Sequence, residues 1–241
     1  MQNIRLENLL LIDIETVPQY PDFFSLPEDW KKLWKEKSGK FIPENITAEE
    51  YYAQRAGIMA EFSKIVCISI GCFKQEEKML QLRLQSFYNE SESVLLQEFL
   101  HAVKKIASVN DRWSFTGHNI KEFDIPFICR RLLANGITIP PFLDFQNMKP
   151  WETNLLDTFQ YWRFGDYKNF TSLNLLAATL KVPSPKDDID GSQVAAVYYQ
   201  EKNIQRIVTY CQKDVVTVAN IILRFSNQPL LDPLCISIVD S

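Results

Sequence analysis

Apolar and polar positions recur along this chain with two periods, and they mark where strands and helices stand. Leu9 to Ile12 is an unbroken apolar run leading into Asp13-Ile14-Glu15, which predicts a strand buried on both faces and central in a sheet. Lys64 to Phe73 (KIVCISIGCF) predicts a second strand, rich in β-branched residues, and Met79 to Phe87 (MLQLRLQSF) a half-exposed third. Residues 91–107 carry apolar residues at helical spacing, with Ser91 or Ser93 as cap. Trp113 to Gly117 is a fourth strand, 124–135 a helix with Pro126 in its first turn, and Asn154 to Trp162 a fifth strand. Thr171 to Lys181, Ser192 to Gln200 and a long segment from Asn203 to about Phe225 read as helices. Three sequential strands followed by alternating strand and helix predict an α/β fold with a mixed five-stranded sheet flanked by helices.

One segment breaks this order. Residues 18–61 hold Pro18, Pro21 and Pro27, then Trp30 to Lys37, then a Thr47-Ala-Glu-Glu50 capping box. They predict two short helices inserted between strands, with Trp30, Trp34, Tyr51 and Tyr52 as packing aromatics. With no repeat and no linker, residues 1–241 are expected to form a single domain carrying this helical insertion.

Composition narrows the chemistry. Of 241 residues only 7 are Gly and none are spaced for a dinucleotide fingerprint or a Walker A loop. With 2 His, His101 and His118, an H-E-x-x-H site is impossible. The 5 Cys form no C-x-x-C pair, and their odd number without a secretory signal fits reduced thiols in a cytoplasm. The N-terminal apolar run is interrupted by Asp13 and is too short for a membrane span. The 30 Asp and Glu outweigh 26 Lys and Arg, giving a net charge of −4, so carboxylates, and a metal they could hold, are the most plentiful chemistry.

Three carboxylate clusters stand out. On a strand, Asp13 and Glu15 project to one face while Ile12 and Ile14 face the other. Two adjacent acids at a buried strand end repel each other, and a hard, oxygen-ligated Mg²⁺ or Mn²⁺ would offset that, although a strand that simply ends in two solvated acids has the same pattern. The second cluster is Asn119-Ile-Lys-Glu-Phe123-Asp124, beyond the fourth strand, where Asp124 also reads as a plain helix N-cap. The third is Tyr210-Cys-Gln-Lys-Asp214, whose ends lie one turn apart at the border of the buried stripe of the last helix.

In order and context, Asp13, Glu15, Asp124 and Asp214 resemble the DEDD family of 3′→5′ exonucleases, and Tyr210 resembles its tyrosine subclass. The segment N-I-K-E-F-D-I-P-F-I-C-R-R is similar to the proofreading exonuclease domains of B-family DNA polymerases. The likeness runs from Leu9 to about Phe225 and includes Ser192-Gln193-Val194. The chain also resembles a bacterial group of predicted exonucleases related to that polymerase domain, and with no palm or fingers following, the domain is expected to stand alone. The resemblance implies a ribonuclease H-like fold and a two-metal hydrolysis of phosphodiesters that releases nucleoside 5′-monophosphates. It implies that Asp13, Glu15, Asp124 and Asp214 hold two divalent cations, Mg²⁺ or Mn²⁺, about 3.5–4 Å apart. Tyr210 would orient the attacking water, and Thr16, Asn119 and Phe123 would bind the terminal nucleotides. The expected partner is single-stranded nucleic acid, DNA favoured over RNA, in a cytoplasmic protein with no membrane contact. A role in DNA repair, or beside a polymerase, is compatible with this. An RNA exonuclease and a non-cutting binding module on the same fold are the alternatives.

Other residues carry weaker signals. Lys121, Arg130, Arg131, Arg163 and Lys168, with Tyr161, Phe164 and Tyr167, are candidates for a phosphate groove, or equally for strand and loop with snorkelling basics. Asp157 reads as a structural acid or a support for the site, His118 as a turn residue rather than a base. Asp187, Asp188 and Asp190, among Pro183, Pro185 and Gly191, read as a solvated turn.

Overall fold

The structure, a computed structural model, describes residues 4–76, 79–110, 112–146, 148–149, 152–183 and 189–239. Asp187 and Asp188 lie outside the described residues. Among the described residues six strands form one sheet: β1 (Leu9–Pro18), β2 (Ser63–Glu76), β3 (Met79–Phe87), β4 (Ser114–Gly117), β5 (Leu155–Asp157) and β6 (Ile236–Ile238). Their order is β5-β4-β1-β2-β3-β6, with β1–β2 and β2–β3 antiparallel and β1–β4, β4–β5 and β3–β6 parallel. The mixed sheet agrees with the expectation, but it has six strands rather than five. Ile236–Ile238 is only three residues long, too short for periodicity to register, yet it pairs with Leu82–Leu84 and covers the β3 edge.

Helices α1 (Glu28–Ser38) and α2 (Ala48–Arg55) stand between β1 and β2. Thr47 and Glu50 form the expected capping box, and Trp34 and Tyr52 are fully buried in a cluster with Phe23, Leu26, Ala56 and Phe62. The chain continues with α3 (Glu92–Val109), α4 (Asp124–Ala134), α5 (Thr158–Arg163), α6 (Leu173–Thr179), α7 (Val194–Ala196, running on as a π turn to Glu201) and α8 (Ile204–Phe225). The expected fifth strand over 154–162 is thus only Leu155–Asp157. The Asp157 carboxylate accepts the N–H groups of Phe159 and Gln160 at 2.9 and 3.3 Å and starts a helix there. Among the described residues no helix is long and apolar enough to cross a membrane.

Period-two alternation divides β1 between two cores. Leu10, Ile12 and Ile14 pack with Leu95, Phe99, Phe115 and Ile128 under α3 and α4. Leu9 and Leu11 pack with Val215, Val218 and Ile222 of α8. Asp13 and Glu15 continue the second row, so the strand that supplies the core also aims its two acids at α8.

Candidate active site

The β1 row ends in a carboxylate cluster against α8. One ligand atom each from Asp13, Glu15 and Cys211 lie within 4.8 Å of one another. The Cys211 thiol donates to the Asp13 carbonyl oxygen at 3.4 Å, fixing α8 on the strand, and a β-bulge follows Glu15. Glu15 is 8% exposed and Asp124 4%. Asp124, the first residue of α4, reaches back to accept the Ile14 N–H at 3.2 Å, which sets it beside both β1 acids. Its expected place at a helix start is confirmed, but its carboxylate serves β1 rather than capping α4.

Electrostatics bind Asp214 into the same group. The Asp13 carboxyl is held well above its ordinary range by burial, then by the charges of Asp214, Glu15 and Asp124. Glu15 is raised by burial, Asp214, Cys67 and Asp124. Burial pushes Asp124 to about 7, with its own N–H and that of Ile14 opposing and Asp157 and Asp214 adding. Four acids that disfavour one another's charge form a site that a cation would relieve. Asp13 Oδ2 is buried without a hydrogen-bond partner. With the Cys211 thiol engaged by the Asp13 carbonyl, the four carboxylates and this orphaned oxygen fit a hard divalent cation. Tyr210 lies one turn before Asp214, half-buried beside the cluster of Val17, Val208 and Cys211.

The Asn119–Phe123 loop follows β4, which closes tightly on β1. A Cβ on Gly117 would sit 2.7 Å from the Ile12 carbonyl oxygen, so only glycine permits this approach. Asn119 then takes left-handed backbone (φ 64°), a region that Asn tolerates. Its N–H and that of Lys121 both donate to the Asp157 carboxylate at 3.0 Å. Asp157 is therefore the organiser of this loop as well as the cap of α5. Asn119 Oδ1 is buried without a partner, and the half-buried Phe123 ring lies 5.2 Å from that of Phe127. Thr16 donates its hydroxyl to the Gly57 carbonyl at 2.6 Å, joining the end of β1 to the turn after α2.

His118 is held between Thr158 Oγ1 and the Thr171 carbonyl at 3.0 and 2.9 Å, and burial lowers its pKa, in keeping with a structural residue. Two members of the suggested phosphate groove are corrected. Arg131 is buried, paired with Glu92 at 2.6 Å and bonded to the Ala60 carbonyl. Arg163 pairs with Glu122 at 3.0 Å and lies over the Phe159 ring. Tyr161 packs on Phe225, while Arg130, Phe164, Tyr167 and Lys168 are exposed. Cys211 was legible only as part of the apolar stripe of α8. Its contact with Asp13 depends on α8 running along β1, which no local pattern encodes.

No curated protein matches the chain. The family B DNA polymerase of the hyperthermophilic archaeon Pyrobaculum calidifontis shares the fold, with a TM-score of 0.57 and 16% identity over 91% of this chain. The chain spans 24% of that polymerase's length. Residues 58–228, which include Asn119, Phe123, Asp124, Tyr210 and Asp214 and begin after Asp13 and Glu15, match the model of a family described as predicted 3'-5' exonuclease related to the exonuclease domain of PolB. That match covers well over half of the residues, and the chain belongs to this family of 3'-5' exonucleases.

Proposed function

We propose that this chain is one exonuclease domain, with a helical insertion at 18–61, that removes nucleoside 5′-monophosphates from the 3′ end of single-stranded DNA. The observation that carries the reading is the convergence of Asp13, Glu15, Asp124 and Asp214, in which Glu15 and Asp124 are buried and Asp13 Oδ2 is buried without a hydrogen-bond partner. Asp13, Glu15 and Asp214, with Asp124 supporting, would hold two Mg²⁺ or Mn²⁺ ions. Bound there, such ions lower the pKa of water and stabilise the leaving 3′-oxygen.

The remaining work falls to side chains of this chain. The Tyr210 hydroxyl would orient the attacking water. Thr16 Oγ1, already donating to Gly57, keeps lone pairs that accept from the terminal 3′-hydroxyl. The Asn119 amide and the Phe123 ring would hold the last nucleotides, the ring by stacking. DNA is preferred on the likeness to a DNA polymerase domain.

The test uses 5′-labelled DNA and RNA oligonucleotides in Mg²⁺, Mn²⁺ or EDTA. The expected result is a one-nucleotide ladder on DNA that EDTA suppresses and a blocked 3′ end prevents. A ladder on RNA alone would move the substrate to RNA. Binding with no ladder would leave a non-cutting module, and cutting past a blocked 3′ end would refute the polarity.

A further inference from the structure

Between α5 and α6 the chain turns through Phe164–Phe170, and three of its rings stand in water. Phe164 is 82% exposed, Tyr167 78% and Phe170 65%. Large rings clustered on one short loop at such exposure mark a contact surface rather than stray surface residues. The loop is held in shape. Phe164 and Gly165 both take left-handed backbone, at φ 44° and 90°. Asp166 accepts the Lys168 N–H at 3.0 Å and the Asn169 amide at 2.9 Å. Phe170 rests one edge on Phe159, with centroids 4.9 Å apart.

The loop is also tied to the 118–122 segment after β4. Arg163 lies 4.0 Å over Phe159 and 5.6 Å from the Tyr167 centroid, and its Nη1 reaches Glu122 at 3.0 Å, next to Phe123. The Thr171 carbonyl, just after the loop, faces His118 Nε2 at 2.9 Å, next to Asn119. The rings therefore have a fixed relation to the loop that bears Asn119 and Phe123.

We infer that Phe164, Tyr167 and Phe170 form a stacking platform for single-stranded polynucleotide, holding nucleotides upstream of the 3′ end that enters the carboxylate cluster. The inference rests on the nuclease reading and extends it to the path of the strand. Separate flat rings on a turn suit bases, each of which offers a π face, and the neighbouring exposed cation Lys168 suits a phosphate between them, while Arg163, paired with Glu122, holds the rings in place. With Asp166 and Glu122 also present, the local charge is nearly balanced. Stacking therefore contributes more than counterion release, and binding here depends only weakly on salt.

The experiment is fluorescence anisotropy of labelled single-stranded DNA and RNA 12-mers with the full chain in EDTA, where cutting does not intervene. Phe164→Ala and Tyr167→Ala are each expected to weaken binding at least about fivefold, at low and high salt alike, and Tyr167→Phe to restore it. Phe24→Ala, removing an equally exposed ring elsewhere, is expected to bind like wild type. Unchanged affinity in both loop variants, or no binding by the wild type, overturns the inference and points to a protein partner for the rings. If a ladder forms with Mn²⁺ while loop variants bind normally, the platform fails and the nuclease reading stands. If binding depends on the rings but no ladder ever forms, the nuclease reading fails and the platform stands.

Discussion

The carboxylate of Asp124 accepts the backbone N–H of Ile14 at 3.2 Å, across 110 residues of chain. This bond sets the start of α4 against β1 between two acids, and it is directional where the charge repulsion around it is not. Asp124→Asn retains an oxygen for the Ile14 N–H and removes only the charge. The variant is expected to fold with an unchanged circular dichroism spectrum and to hydrolyse a labelled oligonucleotide about a hundredfold more slowly or worse in Mn²⁺. Wild-type rates in this variant would exclude Asp124 from the reaction.

Stability without metal should run against the usual acid trend. The Asp124 carboxyl is raised from 3.8 to about 7, and Asp13 and Glu15 are raised too, all chiefly by burial. Between these limits the folded chain keeps protons that the unfolded chain has lost. The contribution of Asp124 to stability therefore falls as pH rises from about 4 to about 7, and Asp13 and Glu15 act in the same direction. In chelator, the melting temperature of wild type minus that of Asp124→Asn should become more negative over that range. Added Mn²⁺ should stabilise wild type more at about pH 8 than at about pH 5, since the ion binds the ionised acids. Differential scanning fluorimetry reads both effects, and a difference that stays flat with pH would contradict the electrostatic account.

A second charged group is structural. Glu92 at the start of α3 accepts Arg131 Nε at 2.9 Å and Nη2 at 2.6 Å, together with Ile65 N at 2.8 Å and Asn135 Nδ2 at 2.9 Å. It joins α3, α4 and β2 in a buried network. Arg131→Ala leaves an uncompensated buried carboxylate and is expected to cost about 3–5 kcal/mol in urea unfolding. The exposed Arg130→Ala is expected to cost less than about 0.5 kcal/mol. Equal effects of the two substitutions would mean that Arg131 is not held as described.

These residues show how far the sequence could be read. Strand periodicity places Asp13 and Glu15 on one face whatever the fold, and helical spacing does the same for Tyr210 and Asp214, but it was the resemblance of the three clusters together that singled these residues out. Arg130 and Arg131 are adjacent and alike in type, and only the tertiary partner Glu92, 39 residues away from Arg131, distinguishes the buried one from the exposed one. Asp157 was read on a strand and as a structural or supporting acid, and it is the last residue of β5; residues 158–162 were misread as more strand, and the hold of Asp157 on Asn119 and Lys121 depends on β4 and β5 being neighbours. The sixth strand was missed for a similar reason, since three residues acquire strand character from the β3 edge they meet.

Gly117 links fold and site most directly. An added Cβ would lie 2.2 Å from Ile120 Cγ2 and 2.7 Å from the Ile12 carbonyl oxygen. The side chain of Ile120 is fully buried and cannot swing clear, and the Ile12 contact is backbone. Gly117→Ala must push the end of β4 away from β1, and the displaced segment carries Asn119, Phe123 and Asp124. The expected cost is about 1–3 kcal/mol in urea unfolding, with a drop in kcat larger than that of a surface variant of equal stability loss, because Asp124 depends on Ile14 for its position. Gly191→Ala, where an added Cβ meets nothing, is the control and should leave both stability and kcat near wild type. A Gly117→Ala protein that loses stability but keeps full kcat would show that the β4–β1 approach supports the core without positioning the acids.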